Sequence, residues 1–459
     1  MLKICSAPLL GVLLLAVAPA YAESDAEMEA IKQEIRTLRE SYETRIRQLE
    51  QRLDRAEAGT QQNSDAVSTS NAGTVGQVDK SFNPALSVVL QGKLNSYSED
   101  PDSYRLPGFQ LGEEAGLAPD GLTLDETEIT ASANVDHLFY AQTTVSFNDN
   151  GGSPEASVEE AYADTLALPA GLGLRFGRFY SGIGYLNKFH SHAWDFHDEP
   201  LVYRAFLGKQ FGDDGLRLTW LAPTDLLLQF GTELFTGKSF PAANGKRDLG
   251  DSRSLFVKLG GDLGASHAWQ AGLAGLWSRP HRRDSSLDGF DTRFTGDSRL
   301  LIADFVWKWA PNGNPVQRNL KLQAEVFHRS EQGRLLVNDT LNQALLHYDG
   351  TQWGGYAQVV YQFMPHWRVG SRYDRLLADN KLSIGSLGGF SNAATVRNGS
   401  GFEDDNHPRR WSAMLDWSAS EFSRLRLQYN RDNSRAANTD NQWTLQYIMS
   451  LGSHGAHEF

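Results

Sequence analysis

The chain has 459 residues, with 43 Lys and Arg against 56 Asp and Glu, 40% hydrophobic residues, 43 glycines and one cysteine. A formal charge of −13 argues against nucleic acid as a partner, because neutralising phosphates takes a basic surface. After the first 20 residues no run approaches the roughly 18 consecutive apolar residues of a membrane-spanning helix, which excludes a helical membrane protein.

Residues 1–22 have the form of an export signal: Lys3 supplies the positive start, Pro8 to Val17 the apolar run, and Ala20-Tyr21-Ala22 a small-residue cleavage site. Cys5 precedes the apolar run, which is the wrong place for a lipid-anchored cysteine, and cleavage leaves a chain with no cysteine at all. An exported protein of this size without disulfides must draw its stability from extensive burial or continuous backbone pairing.

Residues 23–58 contain no Gly or Pro until Gly59, and their apolar positions are Met28, Ile31, Ile35, Leu38, Tyr42, Ile46, Leu49, Leu53 and Ala56. The spacing alternates between three and four with one stutter, which predicts an α-helical coiled coil; a lone amphipathic helix is the alternative. Isoleucine at Ile31 and Ile35 leans toward three strands. Residues 59–80 are polar and lack aromatic side chains, as a flexible linker does.

From residue 81 to 459 the hydrophobic period changes to two. Leu86, Val88, Leu90 and Leu94 share one parity, with Ser87, Gln91 and Lys93 on the other. Leu425, Leu427 and Tyr429 alternate with Arg424, Arg426 and Gln428, and Trp443, Leu445, Tyr447, Met449 and Leu451 fall on one face. Alternation also suits a soluble sandwich, so the connections matter more. Short ones, such as Asp136-His137 and Pro365-His366, take turns with long ones at about 98–121, 148–156, 181–214, 236–253, 280–298, 331–351, 378–408 and 432–440. Seven short and eight long connections predict about 16 antiparallel strands closed into an all-β transmembrane barrel, with short turns on one rim and long loops on the other. A closed barrel satisfies its backbone in lipid without disulfides.

A barrel of this size encloses an aqueous channel, so a constriction must come from a loop or from interior side chains. The third long connection is the candidate, because so many aromatic residues in one loop predict that it packs inward. It carries His190, His192, Asp195, His197, Asp198 and Glu199 within ten residues. His190, His192, Asp195, His197 and Asp198 offer nitrogen and oxygen donors for a borderline divalent ion such as zinc; hydrogen bonds from loop to barrel wall are the alternative use of the same groups. Between 181 and 214 there are five acids and three bases, and the first long loop adds Glu99, Asp100, Asp102, Glu113, Glu114 and Asp120 against Arg105. Strand parity places Arg175, Arg368, Arg372, Arg424 and Arg426 inward. An acidic loop with Glu199 facing this basic wall would set a transverse field at the constriction; salt bridges along the wall are the alternative.

The residues that carry a family resemblance are Phe82-Asn83-Pro84-Ala85 at the start of the first strand, and Gly177-Arg178-Phe179-Tyr180-Ser181-Gly182-Ile183-Gly184-Tyr185-Leu186-Asn187 running into His190-Ser191-His192-Ala193-Trp194-Asp195-Phe196. They resemble a proteobacterial family usually labelled zinc-regulated or TonB-dependent outer-membrane receptors. The order of export signal, coiled coil and barrel resembles trimeric porins with a periplasmic N-terminal coiled coil, and the barrel is similar to the phosphate-selective porins. The resemblance implies an outer-membrane homotrimer with its coiled coil in the periplasm, and metal uptake under zinc limitation. The chain departs from TonB-dependent receptors in lacking a plug domain and enough strands, and from phosphate-selective porins in its acidic, histidine-bearing third loop.

The sequence has no nucleophile elbow, H-E-x-x-H or phosphate-cradling glycine loop, so no enzyme and no resident cofactor is expected. It points to a passive outer-membrane channel for small hydrophilic solutes, favouring cations or divalent-metal species, with zinc as a transported or loop-bound ion. A TonB-linked metal receptor is one alternative. A structural tether, whose coiled coil contacts peptidoglycan or a periplasmic partner while the barrel does not conduct, is the other.

Overall fold

The computed structural model describes residues 84–112, 115–149, 154–243, 248–287, 289–402, 407–435 and 438–452. The export signal, coiled coil, linker and residues 82–83 of the resemblance lie outside the described residues.

The first eight strands are β1 (Ala85–Tyr97), β2 (Gly121–Leu124 and Thr127–Asn134), β3 (Phe139–Asp149), β4 (Pro154–Thr165), β5 (Leu172–Tyr180), β6 (Gly212–Leu221), β7 (Leu227–Phe235) and β8 (Ser252–Leu263). The other eight are β9 (His267–Ser278 and Arg283–Leu287), β10 (Phe290–Trp309), β11 (Asn319–Asn338), β12 (Gln343–Met364), β13 (Trp367–Ser386), β14 (Arg409–Ser420), β15 (Ser423–Asp432) and β16 (Asp440–Gly452). The two pieces of β2 both pair with β1, and the two pieces of β9 both pair with β10, so each pair of pieces is one interrupted strand. Every strand is antiparallel to the next, and β1 closes the ring on β16 in the register Gln91↔Ile448 and Leu94↔Leu445. The result is a closed 16-stranded antiparallel barrel.

The two faces of the wall show which solvent each meets. Along β16, Asp440, Gln442, Thr444 and Gln446 are buried toward the bore, while Trp443, Leu445, Met449 and Leu451 stand exposed outside. The outer face elsewhere carries Leu255, Leu273, Leu301, Val326 and Trp353. Water would not tolerate so continuous an apolar belt, and it is the surface of a barrel seated in lipid. No helix among the described residues is long and apolar enough to cross a membrane; the crossing is made by strands.

Strands β10 to β13 run 20 to 22 residues, about twice the roughly 9–11 needed to span the bilayer. Together with the second piece of β9 they absorb most of the stretches 280–298 and 331–351 that sequence reading assigns to long loops. Thr292, Phe294, Leu335, Val337, Ala344 and Leu346 continue the inward parity there, so pairing continues past the membrane. A second apolar cluster covers this extension, where Val396 of the short helix Ala393–Gly399, Phe390 and Phe402 pack on Phe294, Leu335 and Tyr348.

Candidate functional site

The connection from β5 to β6, residues 181–211, folds into the bore. It holds two single-turn 3-10 segments, Leu186–Lys188 and Ser191–Ala193, and the helix α1 (Leu201–Leu207). Pro200 opens α1 and Gly208, at φ 73°, ends it by donating its N–H to the Tyr203 carbonyl, a left-handed cap that side chains with a Cβ disfavour. All seven residues of α1 are buried. Phe206 meets Phe109 of the first long loop at 5.7 Å and Phe327 of β11 at 6.2 Å between ring centroids. Gly354 of β12 makes room for the helix, since a Cβ there would lie 2.8 Å from Val202 Cγ2. At this height the interior is a packed apolar core rather than open water. The expectation that this loop folds inward holds.

Wall groups grip the loop from several sides. Glu325 of β11 accepts hydrogen bonds from the Tyr185 N–H at 3.1 Å and the Leu186 N–H at 3.0 Å, and from the hydroxyls of Tyr203 at 3.0 Å and Tyr356 at 2.6 Å. Glu233 of β7 accepts from the Gly182 N–H at 2.9 Å and from the Ser181 and Ser254 hydroxyls, and Arg217 donates to it at 2.6 Å. Lys258 of β8 donates to the Gly184 carbonyl at 2.6 Å. Sequence reading singled out none of these groups; the signal available was an acid or lysine on the inward parity of a strand.

The expected pore arginines all face inward, but most meet the loop or the wall instead of water. Arg372 donates to Asp198 Oδ1 at 2.7 Å and Arg410 to Asp198 Oδ2 at 2.8 Å, with Gln428 and Asn430 completing the set at 2.9 and 3.1 Å. Arg426 binds Asp416 at 2.8 Å and the Trp194 carbonyl at 2.9 Å. Arg368 bridges Asp195, at 3.1 Å, and Asp416, while Arg175 forms a two-pronged pair with Asp164 at 2.7 Å. Arg424 leaves Nε and Nη1 without a hydrogen-bond partner among the described residues. Glu199 is held by Arg204 of its own loop at 2.5 Å. Burial alone would raise the loop carboxyls, yet the neighbouring cations hold Asp195, Asp198 and Glu199 below the usual carboxylate range.

The expected metal ligands part company. His190 and His192 stack with ring centroids 5.8 Å apart and reach the wall carboxylates of β2 and β4. Asp195 instead takes Lys321 at 2.9 Å and Arg368, and Asp198 takes its two arginines. The His197 N–H donates to Gln428 at 2.9 Å, and burial pushes its imidazole down to about 3, only partly opposed by Asp198. The five residues therefore do not converge on one ion. Within so short a segment the two 3-10 turns swing successive donors toward different wall strands, which spacing in the sequence does not reveal.

Between the loop and the short-turn rim lie cavities of about 700, 910 and 560 Å³. Their walls carry eight basic side chains, among them Arg175, Lys258, Lys321, Arg368 and Arg424, against the acids Asp164, Asp195, Asp262 and Glu421. Two of those acids are already engaged, Asp164 by Arg175 and Asp195 by Lys321 and Arg368.

No family model matches the sequence. An uncharacterized protein of Aquifex aeolicus (strain VF5) is 27% identical over 408 residues, which covers 83% of this chain and 81% of that one. Among solved structures, the barrel is similar to the outer membrane channel DcaP of Acinetobacter baumannii, with 13% identity, a TM-score of 0.49, and 80% of this chain and 97% of that chain covered. OprB of Pseudomonas putida is similar at 13% identity and a TM-score of 0.48, over 80% and 94% of the two chains. A loop-deletion mutant of OmpT, an outer membrane protein of Vibrio cholerae, is similar at 10% identity and a TM-score of 0.46, over 80% and 99%.

Proposed function

We propose that the protein is a passive outer-membrane channel of the porin type, assembled as a homotrimer, whose bore is narrowed by residues 181–211 and whose vestibule at the short-turn rim favours small anionic hydrophilic solutes. The observation that carries this reading is the charge of the vestibule wall, eight bases against four acids in the lining, which stays in excess by two when Glu233 and Asp416, the partners of Arg217 and Arg368, are counted. In a cavity walled by low-dielectric protein such an excess concentrates counter-ions of the opposite sign. The acid count of the third loop pointed the other way, toward cations. Asp195, Asp198 and Glu199, however, are bound to arginine and lysine side chains, so their charge is neutralised before a solute meets it.

Purified full-length protein inserted in a planar bilayer tests the proposal under a tenfold KCl gradient. The zero-current potential is expected to take the sign of anion preference, and to move toward zero in a variant carrying Lys308→Gln, Lys321→Gln and Arg424→Gln. A potential of cationic sign would overturn the selectivity. Insertion without any conductance would overturn the channel itself and leave the tether.

A further inference from the structure

His190 sits at the centre of a set of carboxylates contributed by the wall. Its Nδ1 lies 3.2 Å from Glu128 Oε2 and 3.1 Å from Glu159 Oε2, and its Nε2 lies 3.0 Å from Glu160 Oε2. His192 Nδ1 lies 3.0 Å from the other oxygen of Glu128. One donor atom each from Glu128, Glu159 and His190 fall within 4.8 Å of one another. The three glutamate side chains are only 1 to 8% exposed.

Adjacent residues on a strand normally face opposite sides, yet Glu159 and Glu160 both reach His190. The cause is a β-bulge: Thr144 of β3 pairs with Glu160 and the next residue, Val145, pairs with Val158, so Glu159 is the extra residue. Bulges re-aim side chains in this way, and here one brings a second carboxylate to the same imidazole.

We propose that Glu128, Glu159 and His190 bind a divalent cation of borderline softness, for which zinc is the representative, with Glu160 and His192 as its outer-sphere partners. Three features support the assignment, and none depends on the channel reading. Ligands about 2.0–2.2 Å from a tetrahedral ion lie roughly 3.3–3.5 Å from one another, so the two spacings from His190 Nδ1, 3.2 and 3.1 Å, need to widen by only a few tenths of an ångström. Metal-bound histidines characteristically donate their second N–H to a carboxylate, which is the relation of His190 Nε2 to Glu160; His192 fixes the distal oxygen of Glu128 in the same manner. The third is charge. Glu126 joins the three glutamates, and its Oε2 accepts from Lys209 Nζ at 2.8 Å. Four carboxylates against Lys209 and two imidazolium groups leave one negative charge, and a divalent cation in place of the two imidazolium charges leaves the same one, so the ion enters without adding charge to the buried cluster. On binding, the cation replaces the proton on His190 Nδ1, which passes to buffer, while Nε2 keeps its proton and its bond to Glu160.

The test uses tag-free full-length protein in detergent, titrated calorimetrically with zinc chloride in two buffers of different protonation enthalpy, and with cobalt(II) to read the coordination by absorption. The expected result is one ion per chain bound with release of at least one proton and a tetrahedral cobalt band. Glu159→Gln, which keeps the side chain's shape, and His190→Ala should each weaken binding at least about 100-fold, Glu160→Gln about 10- to 100-fold, and His197→Ala should leave it unchanged. Should His190→Ala fail to fold, Glu159→Gln decides. Wild-type affinity in a folded Glu159→Gln protein, or no stoichiometric binding by the wild type, overturns the site.

Discussion

Replacing Asp198 by Ala is the sharpest perturbation of the loop that fills the bore. The carboxylate receives four hydrogen bonds, two of them from the guanidinium groups of Arg372 and Arg410, which are each only 1% exposed. Its removal does more than delete contacts. It leaves two buried arginines with Asp374, which Arg372 contacts at 3.1 Å and Arg410 at 3.5 Å. Breaking one side of a buried charge network costs about 3–5 kcal/mol. At about 1.4 kcal/mol per factor of ten, even the lower figure raises the fraction of molecules with residues 194–200 off the wall by about 150-fold. Asp198→Asn keeps one acceptor oxygen and should fall between the variant and the wild type. The backbone ladder of the barrel is untouched, so the folded barrel should still migrate as the compact species in unheated gels. Single-channel recording should show larger, flickering conductance, and proteolysis should now cleave within residues 194–200. Conductance and cleavage identical to wild type would falsify the view that this network holds the loop.

Other expectations follow from the same geometry. Glu325→Ala strands two backbone N–H groups and two tyrosine hydroxyls inside the barrel, at about 1–3 kcal/mol for each unsatisfied group, and hydrogen exchange at Tyr185 and Leu186 should accelerate accordingly. Gly354→Ala places a methyl group 2.8 Å from Val202 Cγ2 and 2.6 Å from Leu376 Cδ2; overpacking of about 1–3 kcal/mol should displace α1 and appear as altered conductance without loss of the barrel. The buried His197, lowered to about 3 in the fold, is neutral there but protonates near 6.5 once released, so its contribution is present above pH 6.5 and is lost as pH falls toward 3, by about 1.4 kcal/mol per unit. Protease sensitivity of the loop should therefore rise between pH 6 and 4, and less steeply in His197→Gln. Leu273→Arg, on the exposed outer face of β9, should cost about 2–4 kcal/mol in urea unfolding from lipid vesicles if that face meets hydrocarbon near the bilayer centre.

The strand count, the antiparallel order, the closure and the direction most wall residues face were legible in the sequence, because a period of two and the alternation of short and long connections are local properties of the chain. Trp443, Leu445, Met449 and Leu451 lie outside and Arg368, Arg372 and Arg426 inside, as parity required. The inward folding of residues 181–211 was legible too, since a loop with that many aromatic side chains needs a surface to cover them. Parity gives a side chain its direction but not its neighbour. Whether Arg372 meets water or Asp198, and whether His197 sits beside His190 or on β15, depends on where a loop lands across a closed ring, which only tertiary structure decides. The glutamates around His190 were hidden for a related reason. A β-bulge breaks the alternation from which sequence reading infers facing, and the partners it assembles, Glu128, Glu159, Glu160 and His190, come from β2, β4 and a loop brought together by closure of the sheet.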